Sequence, residues 1–110
     1  MEIIARKSGS IDIVDLGGRL DAYAASELDK QMNTLIGSTP VNMIMNLQKL
    51  EYISSSGLRI LLAALKKARK LQGDVRLAGL QPYVKEVFDI AGFSQLFKMY
   101  DNEADALKSF

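Results

Sequence analysis

At 110 residues the chain has the length of one ordinary domain, with no room for a second core. Its 14 basic and 13 acidic side chains leave a formal net charge of +1, so no polyanionic partner is indicated and direct nucleic-acid binding is not expected. With neither cysteine nor histidine, the chain cannot build disulfides, thiolate metal sites or a Ser-His or Cys-His nucleophile pair, and zinc loses its usual ligands.

The first residues, Met1 to Lys7, alternate apolar and charged side chains and hold no apolar run of signal-peptide length. No window approaches the roughly 20 apolar residues that span a bilayer. The expectation is a cytoplasmic protein without membrane insertion, one domain over residues 1–110. Glu2–Arg6 reads as a first strand, followed by a turn at Gly9-Ser10. In Ser10–Leu16, Asp12, Val14 and Leu16 alternate with Ile11 and Ile13, the period of a strand, and Gly17-Gly18 is expected to break it.

From Ala24 to Ile36 the period becomes helical, with Leu28, Met32, Leu35 and Ile36 on one stripe, Asp21 as the upstream cap and Gly37 as the stop. Val41–Leu47 is a clear strand. Val41, Met43, Met45 and Leu47 point one way; Asn42, Ile44 and Asn46 point the other, which predicts a sheet face that helices do not fully cover.

The strongest helix pattern runs from Leu58 to Leu71, through Leu58, Leu61, Leu62, Leu65, Ala68 and Leu71, with basic residues in its later turns and Gly73 closing it. Val75–Leu80 is a further strand. Pro82 opens a helix that carries Val84, Val87, Phe88 and Ala91 inward and stops at Gly92. Phe97–Tyr100 reads as a short edge strand before a last helix, Asn102–Ser109. The pattern β-β-α-β-α-β-α-(β)-α predicts an α/β domain with a mixed sheet of four to five strands and helices mainly on one face.

Between Leu47 and Leu58 lies Gln48-Lys49-Leu50-Glu51-Tyr52-Ile53-Ser54-Ser55-Ser56-Gly57, which places three serines and a glycine at a strand-to-helix turn. A helix N-terminus presents unpaired N–H groups and partial positive charge. A serine there can cap the helix or carry a phosphate, and the residues alone leave both roles open.

The stretch Tyr52-Ile53-Ser54-Ser55-Ser56-Gly57-Leu58-Arg59-Ile60-Leu61-Leu62 resembles the signature of STAS domains in bacterial anti-sigma factor antagonists: aromatic, apolar, Asp, Ser, Ser or Thr, Gly, Leu, then an apolar helix. Gly18-Arg19-Leu20-Asp21 is similar to the family's Gly-x-Leu-Asp element. The shared strand and helix order covers nearly the whole chain.

The resemblance implies a non-enzymatic binding module without cofactor or metal. In the family, the hydroxyl residue before the glycine is phosphorylated by an anti-sigma factor that is also a serine kinase. That position is Ser56 here, with Ser55 the second choice. Asp21, Ser54, Ser55, Gly57, Leu58 and Arg59 are implied as the phosphosite environment and partner-binding residues. The expected partners are an anti-sigma factor/serine kinase and a PP2C-type phosphatase, and the unphosphorylated form is expected to release a sigma factor. Asp21 can equally be a helix cap, and both roles can coexist. One position departs: the family's common Asp, two residues before the phosphorylated hydroxyl, is Ser54.

Two other readings compete. A constitutive STAS subunit of a lipid-transport or other signalling complex uses the same loop without phosphoregulation. A serine nucleophile at Ser54–Ser56 needs an activating base, and the usual one, histidine, does not occur in the chain. No G-x-G-x-x-G or G-x-x-x-x-G-K-[ST] pattern exists for a nucleotide.

Overall fold

A computed structural model describes residues 1–110. Strand β1 (Glu2–Ser8) turns back at a left-handed Gly9 into β2 (Ile11–Leu20). Helix α1 (Ala22–Leu35), strand β3 (Asn42–Ile53), helix α2 (Ser55–Lys70), strand β4 (Asp74–Ala78) and helix α3 (Pro82–Ala91) follow in alternation. A single 3-10 turn, Phe93–Gln95, then leads to β5 (Met99–Tyr100) and α4 (Glu103–Lys108).

The five strands lie in the spatial order β1-β2-β3-β4-β5. The β1 hairpin is antiparallel and every later pairing is parallel, so the sheet is mixed, as the strand and helix order predicts. Parallel neighbours require crossovers, and α1, α2 and α3 supply them on one face. There Val14, Leu16, Met43, Met45, Leu47 and Leu77 meet Leu28, Met32, Leu61, Leu65, Val84 and Phe88 in one continuous core. Phe88 is fully buried and takes Phe93 and Phe97 edge-on, with ring centroids 6.4 and 5.8 Å away.

Only α4 covers the other face. Its Ala106 packs on Ile13, Ile44 and Ala78, which agrees with the partial covering expected from the asparagines of β3. Asn46 donates to Glu103 Oε1 at 3.3 Å, and Arg6 of β1 bridges Asp15 and Glu103. At the far end Arg76 bonds Asp74 and Ser109 and lies 3.9 Å from the Phe110 ring centroid. No helix is long and apolar enough to cross a membrane.

Several boundaries differ from the sequence expectation. Gly17-Gly18 does not break β2, which continues to Leu20 with Gly18 at φ 91°. Strand β3 does not stop at Leu47 but runs to Ile53, because its register against β2 shifts twice: Asp15 faces Asn46 but Gly17 faces Lys49, and Gly18 faces Leu50 but Arg19 faces Tyr52. Each shift is a bulge with one extra residue in β3, so the inward positions become Leu47, Leu50 and Ile53 and the two-residue alternation disappears. The Asn46 side chain accepts the Gln48 N–H at the first bulge, 3.0 Å away.

Glycine closes one of the long helices rather than three. Gly92 adopts φ 78° after α3, but α1 ends when Ile36 drops into the core, and α2 ends with Gln72 at φ 66°. Gly73 serves the backbone instead, since a Cβ there would stand 1.9 Å from the Val41 carbonyl oxygen. Strand β4 stops at Ala78, where Gly79 turns at φ 70° and donates to the Tyr100 carbonyl.

Hydrogen bonding from Arg6 holds the Glu103 carboxyl below its ordinary value of 4.5 against the opposing effect of burial, with a smaller contribution from Asn46 in the same direction as Arg6. A carboxyl depressed in the folded state contributes stability that is present above its unfolded value and is lost as pH falls through the folded one. Unfolding free energy measured in urea between pH 7 and pH 3 is therefore expected to fall less steeply below about pH 4.5 in Glu103→Gln than in the parent chain. Parallel curves would remove Glu103 from the acid response.

Candidate functional site

Strands β2 and β3 end side by side, with Leu20 opposite Ile53 and the Ser54 N–H bonded to the Leu20 carbonyl at 2.9 Å. Each strand leads through one extended residue into a helix, Asp21 into α1 and Ser54 into α2. Two helix N-termini therefore emerge together at the carboxyl edge of the sheet.

Both junctions are capped by their own side chains. Asp21 Oδ1 accepts the Ala24 N–H at 2.9 Å, and Ser54 Oγ accepts the Gly57 N–H at 3.1 Å. The Ser54 carbonyl takes the Leu58 N–H at 2.9 Å, the first intrahelical bond of α2. Helix α2 thus begins three residues before Leu58, and Ser55-Ser56-Gly57 form its first turn rather than the loop expected from the sequence. Of the three serines, Ser54 is the cap.

Gly57 is in the helix and buried. A Cβ on it would lie 2.7 Å from Leu20 Cγ and 3.0 Å from Ile53 Cγ1. The glycine lets the start of α2 sit directly on the ends of β2 and β3; the need is steric, not a tight turn. Leu58 also points inward and is 7% exposed, so it anchors the helix in the core and offers a partner little surface.

Ser55 is exposed and makes no side-chain hydrogen bond. Ser56, the second helical residue, is half-buried, and its Oγ accepts only from Arg59 Nη2, at 3.5 Å. No carboxylate hydrogen-bonds either hydroxyl. Asp21 is exposed and committed to its cap, with no hydrogen bond to the serines.

Two further features of this edge were not singled out from the sequence. Tyr23 is the second residue of α1, the counterpart of Ser56 on α2, and is 81% exposed. An aromatic residue off the apolar stripe and just past a cap is the available signal for it. Arg19 lies 4.3 Å from the ring centroid of Tyr52, its partner across β2 and β3. That pairing exists only in the bulged register, which the alternation pattern conceals. A groove of about 450 Å³ beside α1 is lined by Met1, Ile3, Arg19, Asp21, Tyr23 and Glu27 among others.

This fold has known counterparts. Residues 2–106 match the STAS domain family. The chain belongs to the STAS family. It is 31% identical over 110 residues to the Bordetella bronchiseptica protein BtrV, described as an anti-sigma factor antagonist, covering 100% of this chain and 95% of that one. It is 29% identical over 96 residues to the anti-sigma F factor antagonist of Paenibacillus polymyxa, covering 86% of this chain and 82% of that one.

Among solved structures, an anti-sigma factor antagonist from Mycobacterium paratuberculosis superposes with a TM-score of 0.89 at 22% identity, over 98% of this chain and 92% of that one. The anti-sigma factor antagonist SpoIIAA is similar in its unphosphorylated form, with a TM-score of 0.82, 22% identity and coverage of 98% and 95%. Its phosphorylated form, from Bacillus, gives 0.74 and 21%, with 98% of both chains covered. These structures share the fold, and the named relatives are regulatory binding proteins rather than enzymes.

The contact at Gly57 sets the height of the STAS domain's α2 above the sheet. Gly57→Ala gains about 1 kcal/mol of helix propensity but forces Leu20 or the helix to move, at about 1–3 kcal/mol for overpacking. A net loss of about 1 kcal/mol in urea unfolding is expected for G57A; a gain would show that Leu20 can step aside freely.

Proposed function

We propose that this chain is an anti-sigma factor antagonist whose binding is switched by phosphorylation of Ser56. The observation that carries this reading is the division of labour in the serine triplet. Ser54 is used up as the cap of α2, which leaves the Ser56 hydroxyl, immediately before Gly57, without any structural duty in the fold. The relatives named anti-sigma factor antagonists supply the partner class, and SpoIIAA, solved in both phosphorylation states, supplies the modification.

Unphosphorylated protein docks the rim of this edge, the exposed Ser55, Arg59, Asp21 and Tyr23 with the half-buried Ser54 and Ser56, on an anti-sigma factor, which then gives up its sigma factor. Gly57 and Leu58 serve from inside by fixing the helix. Tyr23 suits an anchor, because a large exposed aromatic supplies contact area with little loss of side-chain freedom. The anti-sigma factor also acts as a serine kinase: Ser56 Oγ attacks the γ-phosphorus of its ATP, the bond to ADP breaks, and the hydroxyl proton leaves to a base of the kinase. A PP2C-type phosphatase hydrolyses the ester and restores the binding form.

Phosphoserine carries about −1.5 to −2 charges at neutral pH. Burying that charge in an interface fitted to a hydroxyl costs several kcal/mol, and each 1.4 kcal/mol is about tenfold in affinity. The fold is spared, since an anion at a helix N-terminus is worth roughly 0.3–1 kcal/mol in its favour.

Calorimetric titration against the anti-sigma factor tests the switch. Ser56→Ala is expected to bind like the unphosphorylated parent and Ser56→Asp about 100-fold more weakly, with urea midpoints alike. Equal affinities for the two variants, together with an absence of phosphate on Ser56 in native cells, would make this a constitutive binding subunit.

A further inference from the structure

The chain has five arginines, and four are committed. Arg6 bridges Asp15 and Glu103, Arg69 and Arg76 share Asp74, and Arg19 stacks on Tyr52. Arg59 alone has neither a carboxylate nor an aromatic partner. It is exposed, and its one hydrogen bond goes to Ser56 Oγ, at the long distance of 3.5 Å. The three-residue spacing puts both on one face of α2, so the guanidinium stands over the hydroxyl without gripping it.

We propose that Arg59 is a clamp for the phosphate on Ser56, an assignment that rests on the phosphorylation reading above. Esterification moves the acceptor from one neutral oxygen to three anionic ones further out along the side chain. A contact now at the limit of hydrogen bonding then becomes a charge-assisted pair that the planar guanidinium fork can make with two bonds.

The local charges suit this assignment. No acidic residue lies in the first turn of α2, and its cap is the neutral Ser54, where an aspartate would stand as a competing anion. The acid at the neighbouring helix start, Asp21, is engaged by the Ala24 N–H. Arg59 is therefore the ionised side chain with which the phosphate is in direct reach.

The clamp gives phosphorylation a second effect. The phosphate adds negative charge to the docking edge, and it also folds the one uncommitted arginine back onto α2. Both changes remove positive potential from the surface offered to the anti-sigma factor. Arg59 acts here as a positioning residue for the phosphate; it takes no part in the transfer itself.

The test installs phosphoserine at position 56 of the full chain during translation, and follows the second ionisation of the phosphate by phosphorus NMR. Its unperturbed midpoint is about 6. In the parent chain the midpoint is expected to lie about half a unit or more below that of Arg59→Gln, with Arg59→Lys between them. Adding about 1 M salt should narrow the gap. Arg59 is exposed, so the unphosphorylated variants should unfold at the parent's urea midpoint, which verifies that the comparison is made between folded chains.

Identical titration midpoints in the parent and Arg59→Gln would overturn the clamp. The phosphate is installed without a kinase, so this result is independent of the switch. A shifted midpoint with unchanged anti-sigma binding would defeat the switch and keep the clamp; an unshifted midpoint with lost binding would do the reverse.

Discussion

The candidate site depends on the close approach of α2 to the ends of β2 and β3 at Gly57. No side chain fits there, because Leu20 Cγ and Ile53 Cγ1 occupy the space that a Cβ would need. Removal of that one side chain brings the helix start down onto the sheet, so that Ser54 can bond the Leu20 carbonyl with its N–H while its hydroxyl receives Gly57. Leu58 then reaches the core, and Ser56 stays half-buried beside it in the first turn. The half-buried Ser56 hydroxyl is thus placed by a packing constraint and has no binding network of its own. Such an arrangement lets the surface change its charge without disturbing what positions it.

The strand and helix order was legible because regular elements advertise their period. Leu61, Leu65 and Ala68 in α2, or Met43 and Met45 in β3, follow the spacing that burial on one face requires. What the period could not reveal lies where the backbone departs from it. Two bulges in β3 carry the inward positions from Leu47 to Leu50 and Ile53, so a strand of 12 residues reads as one of seven followed by a loop. Glycine misled for a related reason. At Gly18 it marks a positive φ inside a strand and at Gly73, between α2 and β4, a close backbone approach, whereas Gly37 marks no cap at all, since Ile36 ends α1 by being buried.

The site was legible in its motif and less so in its roles. Ser54, Ser55, Ser56 and Gly57 could be picked out together, but which serine caps depends on where α2 begins, and that follows from the hidden length of β3. Asp21 could be assigned as a cap because it precedes a clear apolar stripe, and the structure places it there. The Arg19–Tyr52 stack needed the three-dimensional register. Local rules identify which residues can do chemistry; the pairing of β2 with β3 decides which of them share a surface.

The substitution of serine for the family's aspartate at position 54 has a physical consequence that goes beyond recognition. Either residue caps a helix well, so the fold is indifferent to the exchange. A phosphate on Ser56 is not. With aspartate at the cap, two anions would share the N–H groups and dipole of one helix start, and their repulsion would offset part of the roughly 0.3–1 kcal/mol the helix offers. With serine, the phosphate is the sole anion of the first turn, and Arg59 stands three residues on with nothing else to bind. The neutral residue at Ser54 and the unpaired guanidinium of Arg59 act in the same direction: both would favour the proposed phosphorylated state. A neutral cap is therefore compatible with the proposed phosphoswitch.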